Sequence, residues 1–312
     1  ILSRHIDQKC IALQRTGRLG TFPASTGQEA IFSMAGHTLC DTDVYVPYYR
    51  DQAALLARGM PIDNILDYWG GDERGNIFSH KQMDMPYCIP IASQCAHATG
   101  IAWSAKYHET NSVVMVTLGD GATSKGDFYE SINFSGIHKL PIVFLINNNQ
   151  WVISVPIDKQ SGCKALVDKA VGAGIASYQI DGNDAIALQK CLNHSIDLAR
   201  NNQPCLIEAI TYRTCDHTTS DDAKRYISVK NLEHAKESDP IKRLSHFLTQ
   251  NGHWEKQQAN RWDEQCKTQI ENAVDRYLNR APQSPASISN FHYENSTKIR
   301  KEHHHDTYCT SD

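Results

Sequence analysis

Two short apolar segments, Ser112–Leu118 and Pro141–Ile146, place the strongest constraint on how this chain can fold. Nearly every position in them is apolar, which is typical of parallel strands that are buried on both faces. Between them, Gly126–Lys139 has the spacing of a helix. The predicted apolar face of this helix carries Phe128, Ile132 and Ile137. Strand, helix and strand in this order predict a βαβ unit and a parallel sheet.

The same alternation continues towards the C-terminus. Asp184–Asn201 is patterned as a helix and Pro204–Ile210 as a third strand. Beyond Asp239 the pattern changes to two polar, amphipathic helices, Pro240–Asn251 and Glu255–Asn279, the first opened by an Asp-Pro capping pair. The fold class predicted is therefore α/β, a parallel sheet flanked by helices, with additional C-terminal helices.

We expect one domain over residues 1–280 and a C-terminal tail over 281–312. The tail is rich in Ser, Pro and His and has no apolar periodicity, so we expect it to pack on a partner or to be poorly ordered. Three consecutive histidines at 303–305 are interpreted as a solvated tract and not as a metal site. The N-terminus lacks the basic-then-apolar layout of a signal peptide.

Composition excludes several classes of protein. The chain has 31 basic and 35 acidic residues, a net charge of −4, which argues against a nucleic-acid binder. No apolar segment approaches the roughly 20 residues that span a membrane. Ten cysteines are scattered without a Cys-x-x-Cys pair. We therefore predict no disulfide framework, and mostly buried thiols in a reducing compartment.

Polar residues follow the first two predicted strands. Gly119-Asp120-Gly121 follows one, and Asn147-Asn148-Asn149 follows the next. Ligands of doubly wound sheets bind at this carboxyl edge, where Asp120 and Asn149 are expected to meet. Carboxylate, amide and carbonyl oxygens, together with diphosphate oxygens, suit Mg²⁺. Gly119 and Gly121 would let the backbone approach a diphosphate closely.

This pairing resembles the motif of thiamine-diphosphate enzymes, which begins Gly-Asp-Gly and ends Asn-Asn. The segment Gly119–Phe134 is similar to the alpha subunits of pyruvate and branched-chain 2-oxo acid dehydrogenases. The likeness covers roughly residues 1 to 250. Its other matching segments are Gln14–Arg18, Gly27–Ala30, Tyr48–Asp51, Asp181–Asp184, Thr211–Arg213 and His217–Asp222.

The resemblance implies a thiamine-diphosphate-binding fold and specific roles for matching residues. Asp120, Asn149 and the backbone carbonyl of Trp151 would coordinate Mg²⁺. The residues implied at the diphosphate are Tyr49, Arg50, Gly119, Gly121, Ala122 and Asn147. Asn147 is arginine in some relatives, and Trp151 replaces the usual Tyr or Phe.

A second group of matching residues lies in Cys88–Gln94. By resemblance, Ile89 would bind the aminopyrimidine ring through its backbone, and Ile91 would force the cofactor into its bent shape. Some branched-chain relatives also bind K⁺ at the positions of Cys88, Pro90, Ser93 and Gln94. A cysteine at the first of these positions makes that site doubtful in this chain.

His217 matches the histidine of the family's mobile active-site loop. It would contact the cofactor, stabilise charge on the bound 2-oxo acid and assist transfer to the lipoyl group, so it is the expected catalytic residue. Thr218 occupies the position of a regulatory phosphoserine in some relatives.

The resemblance further implies an assembly. A beta subunit would supply the glutamate that activates the aminopyrimidine, giving an α2β2 heterotetramer that serves a lipoyl-bearing acyltransferase. We expect a location in the bacterial cytoplasm or, in a eukaryote, the mitochondrial matrix. No nucleic acid or membrane partner is expected.

Three alternatives remain open at this stage. The substrate is expected to be pyruvate, but the length of the loop from His217 to Tyr226 is that of branched-chain relatives. A nicotinamide-dependent oxidoreductase would use Gly172-Ala-Gly174, although the fingerprint is incomplete because position 177 is Ser. A non-catalytic homologue would bind cofactor without turnover, and the presence of Asp120, Asn149 and His217 argues against it.

Overall fold

The computed structural model describes residues 1–77 and 83–284, together with Ser287. Its centre is a parallel sheet of five strands in the order β1-β2-β3-β7-β6, and a short antiparallel pair, β4-β5, lies apart from it. The strands are β1 Val44–Val46, β2 Val114–Gly119, β3 Ile142–Asn148, β4 Trp151–Val152, β5 Val155–Pro156, β6 Ala176–Asp181 and β7 Cys205–Ile210.

The α-helices of the described ranges are α1 Leu2–Arg15, α2 Glu29–Thr38, α3 Gln52–Ala57, α4 Ile62–Trp69, α5 Ser93–Tyr107, α6 Gly126–His138, α7 Ile157–Gln160, α8 Lys169–Ala173, α9 Ala185–Arg200, α10 Val229–Glu237, α11 Pro240–Gln250 and α12 Lys256–Leu278. Short 3₁₀ segments occupy Glu73–Asn76, Asp120–Ser124, Leu166–Asp168 and Ala223–Arg225.

Helices cover both faces of the sheet. Successive side chains of a strand point to opposite faces, and in β2 Met115 packs into one apolar core while Val114 and Val116 pack into the other. The first core is closed by α1, α2, α4, α9 and α12, and the second by α5, α6 and α8. The predicted α/β class, a parallel sheet flanked by helices, is confirmed.

The predicted strands and helices are present within two residues of their expected ends. One detail is wrong: Ile137 is 67% exposed, whereas Phe128 and Ile132 are fully buried. Nine residues at 100° per residue turn Ile137 to the side opposite Phe128, and Ser135 takes the buried position instead. Glycines at 172 and 174 end helix α8 and do not open one, which removes the structural basis for a nicotinamide fingerprint.

The register of the sheet fixes which residues meet at its carboxyl edge. In β2 and β3, Gly119 pairs with Asn147. In β3 and β7, Asn148 pairs with Ile210. The three residues that follow these strands, Asp120, Asn149 and Thr211, therefore emerge side by side.

The C-terminal helices pack back onto the domain. α12 contacts α1 and α4, and its buried face carries Cys266, Ile270 and Val274. The proposed boundary at residue 280 follows its end, whereas most of the 281–312 tail, including the histidines at 303–305, lies outside the described residues. Within the described ranges, no helix combines the length and apolar character that a membrane span requires.

Each cysteine in the described ranges is a free thiol, which agrees with the predicted lack of a disulfide framework. The expectation that most are buried is wrong. Cys10, Cys95, Cys205 and Cys266 are buried, Cys40 and Cys163 are exposed, and Cys88, Cys191 and Cys215 are half-buried.

Candidate functional site

A cleft of about 130 Å³ lies at the carboxyl ends of β2 and β3. It brings together most of the residues that the sequence predicted for a cofactor site. The predicted residues in its lining are Tyr49, Arg50, Ile91, Gly119, Asp120, Gly121, Ala122, Asn149, Trp151 and His217. Tyr48, Cys88, Ala92, Gln94, Val152 and Ile153 complete it.

Asp120 is the carboxylate of this cleft, and it is 3% exposed. Its Oδ1 accepts a hydrogen bond of 2.8 Å from the Gly121 amide, whereas Oδ2 is buried without a partner among the described residues. Burial raises the pKa of this carboxyl to about 6, although the Gly121 hydrogen bond opposes the shift. A buried carboxylate oxygen that lacks a donor fits a bound cation.

Asn149 supplies a second oxygen at the same edge. Its Nδ2 donates to Oε1 of Gln28 over 3.0 Å, and its Oδ1 accepts from the Trp151 amide over 3.2 Å. The Trp151 carbonyl accepts a long hydrogen bond of 3.4 Å from Nη1 of Arg213. Carboxylate, amide and carbonyl oxygens form a hard donor set, so these three residues fit Mg²⁺.

Two buried arginines border the cleft without a carboxylate partner. Arg50 is 1% exposed and Arg213 is 0% exposed, and neither forms an ion pair in the described part of the chain. Nη1 of Arg50 donates to the Ala24 carbonyl, while its Nε is buried and unpartnered. An uncompensated buried cation costs several kcal/mol. Arg50 is therefore suited to bind an anionic group of a ligand in the cleft.

His217 is enclosed by both guanidinium groups. Nη2 of Arg50 and Nη1 of Arg213 each lie 3.3 Å from its Nδ1. Its backbone is also fixed, because the amide donates to Asp221 and the carbonyl accepts from Arg50. Burial, followed by the charges of the two arginines, lowers the pKa of His217 to about 3.

The loop that carries His217 is tied together by Asp221, Tyr226 and Arg213. The Tyr226 hydroxyl donates to Oδ2 of Asp221, the same atom that accepts from the His217 amide. Nη2 of Arg213 donates to the Tyr226 hydroxyl over 2.7 Å. The ring of Tyr226 also packs 5.2 Å from that of Trp151, which links the loop to β4.

Two predicted cofactor residues do not line the cleft. Asn147 is fully buried, and its Nδ2 donates to Gln28 and to the Tyr48 hydroxyl, so its side chain is used inside the protein. Ile89 is 47% exposed and lies outside the lining. The cofactor contacts assigned to both by resemblance stay predictions.

Of the two glycines in the Gly-Asp-Gly turn, only Gly121 is required by the protein's own packing. A Cβ at Gly121 would lie 2.7 Å from Cγ1 of Val152, whereas a Cβ at Gly119 would make only an ordinary contact of 3.8 Å with Tyr48. The protein itself therefore leaves room for a side chain at position 119. Close approach of a diphosphate to Gly119 remains a prediction.

The backbone beside the cleft is strained. Ala92, Gln150 and Ile153 have φ values of 68°, 72° and 55°. For a β-branched residue such as Ile153 this conformation is an outlier, and it costs on the order of 1–3 kcal/mol. Such strain persists where surrounding contacts over-determine the backbone, and here the Ile153 carbonyl accepts from Arg213 over 2.6 Å.

The segment Cys88–Gln94 fits K⁺ poorly. The Cys88 thiol lies 3.4 Å from the Pro90 carbonyl as a hydrogen-bond donor, and the Ser93 amide donates to that same carbonyl. Gln94 donates to the Thr117 carbonyl and leaves its Oε1 unpartnered. A soft thiol in place of an oxygen donor does not suit an alkali cation.

A larger cavity, about 810 Å³, lies elsewhere, between α1, α2, α11 and α12. It shares no lining residue with the cleft at the sheet edge. Apolar side chains such as Met34, Leu244 and Leu248 dominate its wall. Within the described ranges no cluster of His, Cys, Asp and Glu has the grouping of a metal site of its own.

Sequence reasoning did not assign a role to Arg213, Gln28 or Tyr226. Arg213 and Gln28 were inside segments that carried the resemblance, and their burial as polar residues is visible only after folding. An arginine and a glutamine in short polar segments give no local sign of burial, because sequence pattern predicts such residues on the surface.

Comparison with known proteins shows the family of the chain. The family described as "Dehydrogenase E1 component" matches residues 1–286. The chain is 38% identical over 272 residues to the pyruvate dehydrogenase E1 component subunit alpha of Acholeplasma laidlawii, covering 86% of this chain and 79% of that protein.

Two further relatives extend the comparison. The chain is 34% identical over 297 residues to the pyruvate dehydrogenase E1 component subunit alpha of Mycoplasma pneumoniae, covering 95% of this chain and 83% of that protein. It is 36% identical over 255 residues to the 3-methyl-2-oxobutanoate dehydrogenase subunit alpha of Mycobacterium tuberculosis, covering 81% of this chain and 70% of that protein. Relatives with both substrate names therefore match over most of the chain.

Proposed function

The chain belongs to the dehydrogenase E1 component family, and on that premise we propose that it is the alpha subunit of a 2-oxo acid dehydrogenase that uses thiamine diphosphate and Mg²⁺. One observation carries the proposal: a buried, unpartnered carboxylate oxygen of Asp120 shares a cleft with Arg50, a buried guanidinium that has no carboxylate partner among the described residues. A metal–diphosphate group satisfies both at once, because the cation meets the carboxylate and the anion meets the arginine.

Asp120, Asn149 and the Trp151 carbonyl would hold the Mg²⁺ ion. Tyr49, Arg50 and the backbone of Gly121 and Ala122 would hold the diphosphate. Thiamine diphosphate, when bound, supplies the nucleophile and the electron sink for decarboxylation. The alpha chain contributes orientation of the cofactor and exclusion of water around its charged end.

We assign a hydrogen-bond-donating role to the neutral ring of His217. Its Nδ1 faces two guanidinium groups, which can only donate, so the proton of the neutral ring is on Nε2. Nε2 can then donate a hydrogen bond to the oxygen of a bound 2-oxo acid, and it can assist acyl transfer to the lipoyl group. In the overall reaction the lipoyl disulfide is reduced, CO₂ is released and one lipoyl sulfur is acylated.

The dependence on a beta subunit has two supports. Asp120 is the one carboxylate in the described lining of the cleft, which supports an origin in another chain for the acid that would activate the aminopyrimidine. The volume of the cleft, about 130 Å³, is below the roughly 300–1,000 Å³ of sites that enclose small ligands.

Exposed apolar side chains near the cleft offer a surface for that second chain. They are Ile89, Ile91, Ile153 and Val155. We infer an α2β2 heterotetramer that acylates a lipoyl-bearing acyltransferase, and we expect it in the cytoplasm if the source is bacterial. The K⁺ site of some relatives is not included, because Cys88 does not suit it.

Pyruvate is the proposed substrate, and a relative that matches 95% of this chain carries that name. A branched-chain 2-oxo acid is the second candidate, supported by the relative named for 3-methyl-2-oxobutanoate. The two differ by a few carbon atoms, and pocket volume discriminates such differences by only about 1–3 kcal/mol.

The test is CO₂ release from pyruvate and from 3-methyl-2-oxobutanoate by the chain co-expressed with its beta subunit. We expect turnover of pyruvate with a kcat/KM at least about tenfold higher. A reversed preference would assign the branched-chain function. Robust turnover by the alpha chain alone would contradict the shared site.

A further inference from the structure

Gln28 is a fully buried side chain that contacts two of the three asparagines at the end of β3, Asn147 and Asn149. Its Oε1 accepts hydrogen bonds from Nδ2 of Asn147 over 2.7 Å and from Nδ2 of Asn149 over 3.0 Å. It lies outside the lining of the cleft. Gln28 therefore reaches the cleft through its partners: directly through Asn149, and through Asn147 to Tyr48, which also lines the cleft.

The backbone of Gln28 is held in place. Its amide donates to the Ser25 carbonyl over 2.8 Å. The preceding Gly27, at a φ of +90°, accepts from the Thr211 hydroxyl and donates from its amide to Glu29. The backbone that carries the Oε1 acceptor is therefore fixed at the start of α2, beside Thr211 at the end of β7.

This acceptor and the Trp151 amide, which donates to Oδ1 over 3.2 Å, together set how the Asn149 amide is turned. A carboxamide has an oxygen and an NH₂ group of similar shape, and the partner on one side determines which of them faces the other. With Nδ2 bound to Gln28, Oδ1 is the atom left for the cleft. The opposite orientation would present an NH₂ group, which cannot coordinate a cation.

Asn147 strengthens the arrangement from the other side. Its Nδ2 also donates to the Tyr48 hydroxyl over 2.8 Å. Two amide donors therefore converge on one Gln28 oxygen, which fixes the orientation of the Gln28 carboxamide in turn. Asn147, which is arginine in some relatives, binds Gln28 and Tyr48 inside this protein.

We propose that Gln28 is a positioning residue for the metal: it holds Asn149 with its oxygen turned towards the cleft. The inference rests on the proposed function, in which Asn149 Oδ1 is a ligand of Mg²⁺. It adds Gln28, which belongs neither to the motif from Gly119 to Asn149 nor to the lining of the cleft. Supporting residues of this kind typically change metal affinity by about 10–100-fold when they are replaced.

Gln52 offers a matched control. It is also a fully buried glutamine, and its Nε2 donates to the Pro23 carbonyl over 3.1 Å without contacting Asn149. Gln52→Met therefore measures the general cost of replacing a buried glutamine. Gln28→Met removes the acceptor at similar volume, and Gln28→Glu retains an acceptor for both asparagines.

The experiment is calorimetric titration of thiamine diphosphate at a series of Mg²⁺ concentrations, with the chain co-expressed with its beta subunit. We expect Gln28→Met to raise the Mg²⁺ concentration that supports half-maximal binding of thiamine diphosphate by about 10–100-fold. Gln52→Met should stay within about threefold of wild type, and Gln28→Glu should recover most of the loss. If Gln28→Met does not fold, Gln28→Glu and Gln28→Asn carry the comparison, with the shorter Asn losing affinity.

An Asn149→Asp background separates positioning from packing. A carboxylate offers an oxygen in either orientation, so Gln28→Met should cost less than about threefold there. Equal losses in both backgrounds would overturn the positioning role, as would unchanged Mg²⁺ affinity in Gln28→Met. If wild type needs no Mg²⁺, or if Asn149→Ala changes nothing, the metal assignment itself fails and this inference falls with it.

Discussion

Nη1 of Arg213 lies 3.3 Å from Nδ1 of His217, and Nη2 of Arg50 approaches the same nitrogen at the same distance. A guanidinium has donors and no acceptor, so Nδ1 must accept and the ring must be neutral. The pairing thus fixes the tautomer of the histidine before any substrate arrives. It also explains why the pKa of His217 is lowered to about 3 by burial and by two neighbouring cations.

Replacement of His217 tests this pairing. His217→Ala should leave the affinity for thiamine diphosphate within about threefold, because the metal and diphosphate contacts are elsewhere. Lipoyl acylation should fall by about 100-fold or more, the usual cost of removing one hydrogen-bond donor to a developing oxyanion. Full activity in that variant would remove His217 from the mechanism.

The pH dependence follows from the same pKa. Since His217 is neutral in the folded protein at every pH above about 3, its ionisation should not appear in the rate profile between pH 5.5 and 8. His217→Gln should lower the profile without moving its apparent pKa values. Loss of a limb near pH 6–7 in that variant would show that the histidine titrates during turnover.

Arg50 is expected to bind the charged end of the cofactor. Arg50→Met should weaken thiamine diphosphate binding by about 10–100-fold, the scale of one or two charge-assisted hydrogen bonds of roughly 1.5–3 kcal/mol. Binding of thiamine, which lacks the diphosphate, is the control and should not change. Equal weakening of both ligands would indicate that Arg50 acts through the structure of the cleft.

Asp7 gives a prediction for stability. It is buried beside Ser25 and Thr26, and burial, followed by the charge of Glu29, raises its pKa to about 7. The unfolded carboxyl ionises near its usual value of 3.8, so the folded state holds an extra proton between the two values. Its stabilising contribution is complete below about pH 4 and is lost as pH rises towards 7.

Asp7→Asn removes this titration. The free energy of unfolding of wild type, relative to that of the variant, should fall between pH 4 and 7 by up to about 1.4 kcal/mol per pH unit. Urea unfolding of the full chain at several pH values measures it. A constant difference across this range would mean that Asp7 is ionised in the folded protein.

The sheet was predictable where strands are buried on both faces. β2, β3 and β7 are short apolar segments that are buried along nearly their whole length, a pattern that favours a parallel strand over a surface loop or an amphipathic helix. β6 was not predicted, because this edge strand, Ala-Ser-Tyr-Gln-Ile-Asp, has no buried residue and therefore no apolar run. β1 has only three residues, too few for a period to be visible.

The candidate site was predictable to the extent that it depends on strand ends. Asp120 and Asn149 could be placed together because parallel strands end at one edge of a sheet. The orientation of Asn147 and the burial of Arg213 could not, since both depend on partners distant in sequence, such as Gln28 and Ile153. Ile137 was misplaced because nine residues separate it from Phe128, which turns it to the opposite, exposed side of α6.

The central claim is that Asp120 and Asn149 hold one metal ion together. Anomalous diffraction from crystals of the complex grown with thiamine diphosphate and Mn²⁺, in place of Mg²⁺, locates that ion directly. We predict a single peak roughly 2.0–2.3 Å from Oδ2 of Asp120, Oδ1 of Asn149 and the Trp151 carbonyl. A peak beyond bonding distance of either side chain, or an Asn149 amide turned with its nitrogen towards the ion, would contradict the account.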